Sequence, residues 1–223
     1  MTSLADHGGD YSVVEREPPE VMARNLRIAA HLWASATAFF FVAFLFAYFY
    51  LRALNQQGLW HPHHVKAPVV LGTLIALSIA GSAVCAVLGA RRLRGGDERG
   101  WLGLGAAAFC LGLLVVVLQI VEYATIGFGP TDGGFASVFL GWTGLYMFFV
   151  LGSLFWLETL LATTWRHRGR NHAPGSAAGD AHRSADDIDD PLSLVAPGAA
   201  AFGFYWAVLA GIGVAAWFIL YLL

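Results

Sequence analysis

Gln119, Glu122 and Tyr123 stand in a stretch that is otherwise apolar, and a carboxyl in such surroundings marks either chemistry or a contact between helices. Gln119 and Glu122 are three residues apart, so a helix places both on one face. The pair can act as a proton-accessible carboxyl or as a hydrogen-bonded clamp to a neighbouring helix, and the clamp is the expected role. Glu158 is the second such carboxyl. It precedes Arg166 by two helical turns and is expected to snorkel towards that guanidinium or water, as an anchor and not a catalyst. His61, His63 and His64 have the chemistry for a metal site, but Pro62 among them makes a plain polar turn the expected alternative. The run Asp186, Asp187, Asp189 and Asp190 offers a cation or partner site, or a solvated acidic segment, and the latter is expected. Heme held between membrane helices needs axial ligands, commonly histidines facing one another. Seven of the eight histidines lie in tails or loops and only His31 opens an apolar segment, so no heme or copper centre is expected from this chain alone. Cys85 and Cys110 lack CxxC spacing and are expected to be inert, buried thiols.

The elements that carry these residues are set by hydropathy. Of the 223 residues, 57% are hydrophobic and 13% charged, about half the charge of a soluble domain. Five runs are long enough to cross a hydrocarbon core of about 30 Å, from Ile28 to Ala53, Ala67 to Ala90, Trp101 to Tyr123, Phe135 to Thr163 and Pro197 to Leu223. Inside a bilayer every backbone amide must be satisfied within its segment, so each run is predicted to be helical. The expected organisation is an N-terminal tail over 1–27, four spans within 28–163, a linker over 164–196 and a fifth span over 197–223.

Charge sets the orientation. Eleven of thirteen basic residues precede the first run, join the second to the third, or join the fourth to the fifth; only Arg52 and Lys66 fall on the other side. The positive-inside rule then predicts a cytoplasmic N-terminus and an outer C-terminus. A net charge of −2 gives no field for nucleic acid, which is not an expected partner. The first twenty residues are acidic and lack the basic start and apolar stretch of a signal peptide. Gly141, Gly144, Gly152, Ser137, Ser153 and Thr143 predict that the fourth helix packs closely on several sides. In the first helix, by contrast, Phe39 to Phe41, Phe44, Phe46, Tyr48, Phe49 and Tyr50 predict a bulky face towards lipid or another subunit. Trp33, Trp60, Trp101, Trp142 and Trp165 fall near helix ends and are expected to form aromatic belts.

The third and fourth segments carry Gly112, Gln119, Glu122, Tyr123, Asp132-Gly133, Ser137, Phe139, Thr143-Gly144, Val150 and Gly152, and the first carries Phe40-Phe41 and Ala47-Tyr48-Phe49-Tyr50-Leu51-Arg52-Ala53. With Tyr205-Trp206 in the fifth, this pattern resembles subunit III of the heme-copper respiratory oxidases, in the short five-helix form found in bacteria. The chain departs from it at Thr37, where the family usually has a glutamate, at Tyr146 and Phe149 in place of two histidines, and at Ala207 in place of another.

The resemblance implies an all-α integral membrane fold, with helices 1 and 2 separated from helices 3 to 5 by a lipid-binding cleft. It further implies a non-catalytic subunit of a proton-pumping terminal oxidase in a bacterial plasma membrane, with hemes and copper in a partner subunit I, a subunit II beside it, and bound phospholipid. Gln119, Glu122, Tyr123, Asp132, Ser137, Thr143, Tyr146 and Glu158 then have structural roles between helices. The departures remove titratable groups, so scaffolding is expected in preference to proton handling. Two alternatives stay open: an accessory subunit of a nitric oxide reductase, and a small transporter, for which a polar pathway near the midplane is missing.

Overall fold

The structure is a computed structural model that describes residues 18–55, 60, 66–171 and 192–223. His61, His63, His64 and the acidic run around Asp186 lie outside these residues. Five helices make up the described chain: α1 (Pro19–Ala53), α2 (Val69–Arg94), α3 (Glu98–Thr125), α4 (Gly134–Asn171) and α5 (Leu192–Trp217), the last running into a π-helical turn at Phe218–Leu222. All five are long and apolar enough to span a membrane.

Several helices outrun their apolar cores. α1 begins nine residues before Ile28, because Pro19 pre-sets the first turn and Glu20 to Arg27 are compatible with helix although not with hydrocarbon. α4 continues past Thr163 to Asn171, and α5 starts ahead of Pro197. Hydropathy locates the part of a helix that lipid selects, not the part that backbone hydrogen bonding adds. The turn between α2 and α3 is tight. Gly96, at φ 83°, follows α2 in the left-handed region that a side chain disfavours, and Asp97 caps α3 by accepting from the Gly100 amide at 2.8 Å.

The helices run alternately up and down. At one end the Trp101 indole of α3 donates to Thr164 of α4 at 3.1 Å, and Leu160 of α4 lies by Gly198 of α5. At the other end Tyr221, in the π-helical turn after α5, lies against Gly72 of α2 and Glu122 of α3. The expected grouping of helices 1 and 2 is not what forms. α1 packs on α5 and α4, while α2 packs on α3 and α5. The reason is α5, which fills the centre: small buried residues of α2, including Ser82, Ala83 and Ala86, admit α5 with its Trp206, leaving α1 to the opposite side.

α4 is the most enclosed helix, with half of its apolar stretch buried against 22% for α1. Its own glycines account for some of the close approaches, with Gly134 lying against Trp60 and Gly141 against Phe44 of α1. Gly152 has open space beside it, while Gly105 and Gly112 of α3 receive Leu161 and Leu154 of α4, and Gly213 of α5 receives Tyr146. Large side chains of α4 thus enter notches in its neighbours. α1 presents Leu32, Phe39, Phe46 and Phe49 outward, as the lipid-or-subunit face expected of it, but Phe41 and Tyr48 of the same aromatic run turn inward and are buried. Of the tryptophans expected in belts, Trp33 and Trp165 are exposed, but Trp60, Trp101 and Trp142 are buried. Cys85 is half-buried and Cys110 exposed, so the second thiol is not the buried one expected.

Candidate functional site

Glu122 is the most enclosed charged side chain among the described residues, with no exposure at all. Both of its oxygens are taken. Gln119 donates through Nε2 to Oε2 at 2.6 Å, and the Tyr221 hydroxyl donates to Oε1 at 2.6 Å. The first bond lies within α3, as the three-residue spacing dictates; the second ties α3 to the end of α5. A link onto α4 is made by the next residue. Tyr123 donates to Thr143 Oγ1 at 2.8 Å, and Thr143 donates in turn to the Phe139 carbonyl at 2.7 Å. Consecutive positions on a helix point about 100° apart, so Glu122 and Tyr123 address different neighbours.

The other candidates are separate from this cluster. Asp132 and Ser137 shape the loop into α4: the Asp132 carboxyl accepts from the Gly129 amide at 2.7 Å, and Ser137 donates to the Pro130 carbonyl at 2.5 Å. Tyr146 donates to the Leu209 carbonyl of α5 at 3.0 Å. Thr37, at the position where a glutamate was the familial expectation, lies 3.4 Å from the Tyr205 hydroxyl, a long contact between α1 and α5. Glu158 is exposed, and makes no ion pair with Arg166 or any other described residue. Eight residues of helix span about 12 Å, too far for a glutamate side chain to cross.

Further links carry polar groups through the interior. The Trp206 indole of α5 donates to Ser82 Oγ of α2 at 2.9 Å, and Ser82 donates onward to the Ala108 carbonyl of α3 at 2.6 Å. The Trp217 indole donates to Thr73 at 3.1 Å, joining the end of α5 to the start of α2. By contrast, Trp142 Nε1 is buried with no partner. Tyr221, Ser82 and Thr164 make interhelical hydrogen bonds that the sequence does not announce, because a lone hydroxyl in an apolar helix has no local signature. Its meaning depends on a residue up to 124 positions away.

Among the described residues, metal ligands do not converge. No group of three or more His, Cys, Asp or Glu able to hold a metal occurs among the described residues. His31 is stacked on Phe204 at 4.2 Å and its Nδ1 pairs with the Arg27 carbonyl. A large apolar cavity of about 530 Å³ lies between α1 (Ala30, Trp33), α4 (Phe149, Trp156) and α5 (Tyr205).

Residues 14–186, which include α1 to α4, match the family model described as cytochrome c oxidase subunit III. The chain is 25% identical over 165 residues to cytochrome c oxidase subunit 3 of Ornithorhynchus anatinus, covering 71% of this chain and 63% of that one. It is 26% identical over 164 residues to the same subunit of Didelphis virginiana, covering 71% and 58%. The corresponding protein of Thermostichus vulcanus is 29% identical over 132 residues, covering 56% and 60%. The chain therefore spans about three-fifths of the length of these relatives. By a match over most of its length, together with five apolar helices, the chain belongs to the cytochrome c oxidase subunit III family.

Proposed function

We propose that the chain is the non-catalytic subunit III of a proton-pumping heme-copper terminal oxidase, in which partner subunits hold the hemes and copper that reduce oxygen to water. It contributes to aerobic electron transport by stabilising subunit I, with subunit II in the same complex, and by binding phospholipid. The observation that carries a scaffolding role is the fate of the buried carboxyl. Both Glu122 oxygens are bound by donors of the same chain, Gln119 from within α3 and Tyr221 from the end of α5, while Tyr123 and Thr143 join α3 with α4. A carboxyl with both oxygens bonded inside the chain supports a packed contact.

The apolar cavity between α1, α4 and α5 has the lining to suit an acyl chain, which supports a lipid there in preference to a cleft between helices 1–2 and 3–5. The orientation follows from charge. Arg24 and Arg27 of α1, Arg91, Arg92 and Arg94 of α2, and Arg166 and Arg168 of α4 lie at one end of the bundle, which we assign to the cytoplasmic side of a bacterial plasma membrane.

The test is isolation of the chain in mild detergent, with the visible spectrum and subunit composition of what accompanies it. A heme- and copper-containing partner with oxygen-reducing activity is expected, and the chain stripped from it should show no Soret absorption. Stoichiometric heme on the stripped chain, or a native complex without heme, overturns the proposal.

A further inference from the structure

Glu158 faces outward from α4 in a groove of about 280 Å³ whose other walls are Leu102, Ala106 and Phe109 of α3 and Leu161, Ala162 and Trp165 of α4. Nothing polar in those walls answers the carboxyl except the Trp165 indole nitrogen. No cation of the described residues pairs with Glu158. Trp101 bonds to Thr164, so the basic end of α3 at Arg99 lies level with the residues beyond Thr164, and Arg166 is itself two turns away. Neither guanidinium forms an ion pair with Glu158, which stands about two helical turns inside that level. A bare carboxylate against hydrocarbon costs several kcal/mol and marks a site whose partner comes from elsewhere.

From this geometry we infer that the α3/α4 groove is a docking surface for a transmembrane helix of another subunit, and that this helix brings a basic side chain to Glu158. The inference rests on the chain being part of a larger membrane complex, and it specifies where that complex is joined. The apolar walls supply shape for a helix ridge, while the carboxylate supplies register: one position along the partner helix must be Arg, Lys or His. Nearby Thr159 and Thr163 turn their hydroxyls to their own backbone at 2.7 and 2.8 Å, so they do not compete for the incoming cation.

The native complex containing Trp165→p-benzoylphenylalanine tests this directly, since an aromatic photoprobe of similar size replaces a groove wall that is 70% exposed. Illumination should attach the chain to a transmembrane segment of another polypeptide, with a basic residue within two turns of the attachment point. Glu158→Lys, examined in the same preparation, should lower retention of the chain on its partners roughly tenfold or more, and Glu158→Gln should lower it less. Adducts to lipid alone, with heme-containing partners still present, overturn the docking surface and leave the oxidase proposal standing. Adducts to a membrane polypeptide in a complex without heme overturn the oxidase proposal and support the surface. Attachment to a helix with no basic residue, with Lys and Gln variants retained alike, overturns the charge pairing.

Discussion

Replacing Glu122 separates a scaffold from a proton relay. The carboxyl receives two bonds of 2.6 Å, and its side chain is fully buried. In Glu122→Gln the amide oxygen can accept from Gln119 Nε2, while the amide nitrogen donates to the Tyr221 oxygen, which rotates its own proton away. Both contacts survive, so the change should cost less than about 1 kcal/mol. Glu122→Leu leaves the Gln119 amide and the Tyr221 hydroxyl without an acceptor. At about 0.6 to 2 kcal/mol for each membrane-buried bond, the loss is about 1 to 4 kcal/mol, and it falls on the junction of α3 with α5. Tyr221→Phe, which deletes only the interhelical half, should lie between the two. The assay is initial oxygen consumption of the purified complex beside the fraction of this subunit retained through detergent washing. The expected order is near-normal retention for Glu122→Gln, partial loss for Tyr221→Phe and greater loss for Glu122→Leu, with early turnover persisting in all three. Equal loss of turnover in the Gln and Leu variants, with normal retention, would refute the scaffold role, because titration is the only property those two variants lack in common.

The tryptophans give a second comparison. Trp206→Phe removes the donor to Ser82, whereas Trp142→Phe removes an indole N–H that has no partner; the first should therefore destabilise the complex by about 1 kcal/mol more than the second, measured by thermal unfolding of the two variants. Topology can be read with a membrane-impermeant maleimide: Arg94→Cys and Ser176→Cys should react only from the cytoplasm and Thr131→Cys only from outside, and the reverse pattern rejects the orientation. At Asp97 the Gly100 amide, and then Arg92 at 3.1 Å, hold the carboxyl below its usual range. A depressed folded value makes this contribution present above the unfolded carboxylate pKa and lost as pH falls through the folded one. Asp97→Asn, which can still cap, should flatten the acid limb of thermal stability below about pH 4 without lowering the neutral value much.

What the sequence revealed and what it concealed follow from the range of the physics involved. The five spans were legible because each is a local sum of apolar transfer energies, and Gln119 with Glu122 because their bond closes inside one helix turn. Helix ends were displaced because Glu20 to Arg27 and Trp165 to Asn171 continue the helices through polar sequence, where hydropathy gives no signal. The pairing of helices was not legible, since α1 against α5 or α2 is a choice among surfaces that are all apolar. It turns on where small residues leave a notch, as Gly213 does for Tyr146. Tyr221 was missed for the same reason: its role exists only once α5 has been placed beside α3 and α2.

A common logic connects the polar residues that the fold does bury. Between apolar helices in lipid there is little hydrophobic gain from association, so a pair is selected by shape and by bonds that would otherwise go unmade. Such bonds occur here at three distinct levels: Glu122 with Tyr221 and Tyr123 with Thr143 at one end, Ser82 with Trp206 and Ala108 in between, and Trp101 with Thr164 at the other. α3 takes part at every level, towards α5, α4 and α2, which makes it the helix that fixes the register of the others. α1 contributes the 3.4 Å contact of Thr37 with Tyr205. If α1 is held mainly by packing, Thr37→Val, which keeps shape and removes that hydroxyl, should leave thermal stability within about 0.5 kcal/mol of the native complex. Ser82→Ala should not be neutral, because it strands the Trp206 indole at the crossing of α2, α3 and α5 and should cost about 1 to 3 kcal/mol. A Thr37→Val effect as large as that of Ser82→Ala would show that the long contact anchors α1 and that packing alone does not.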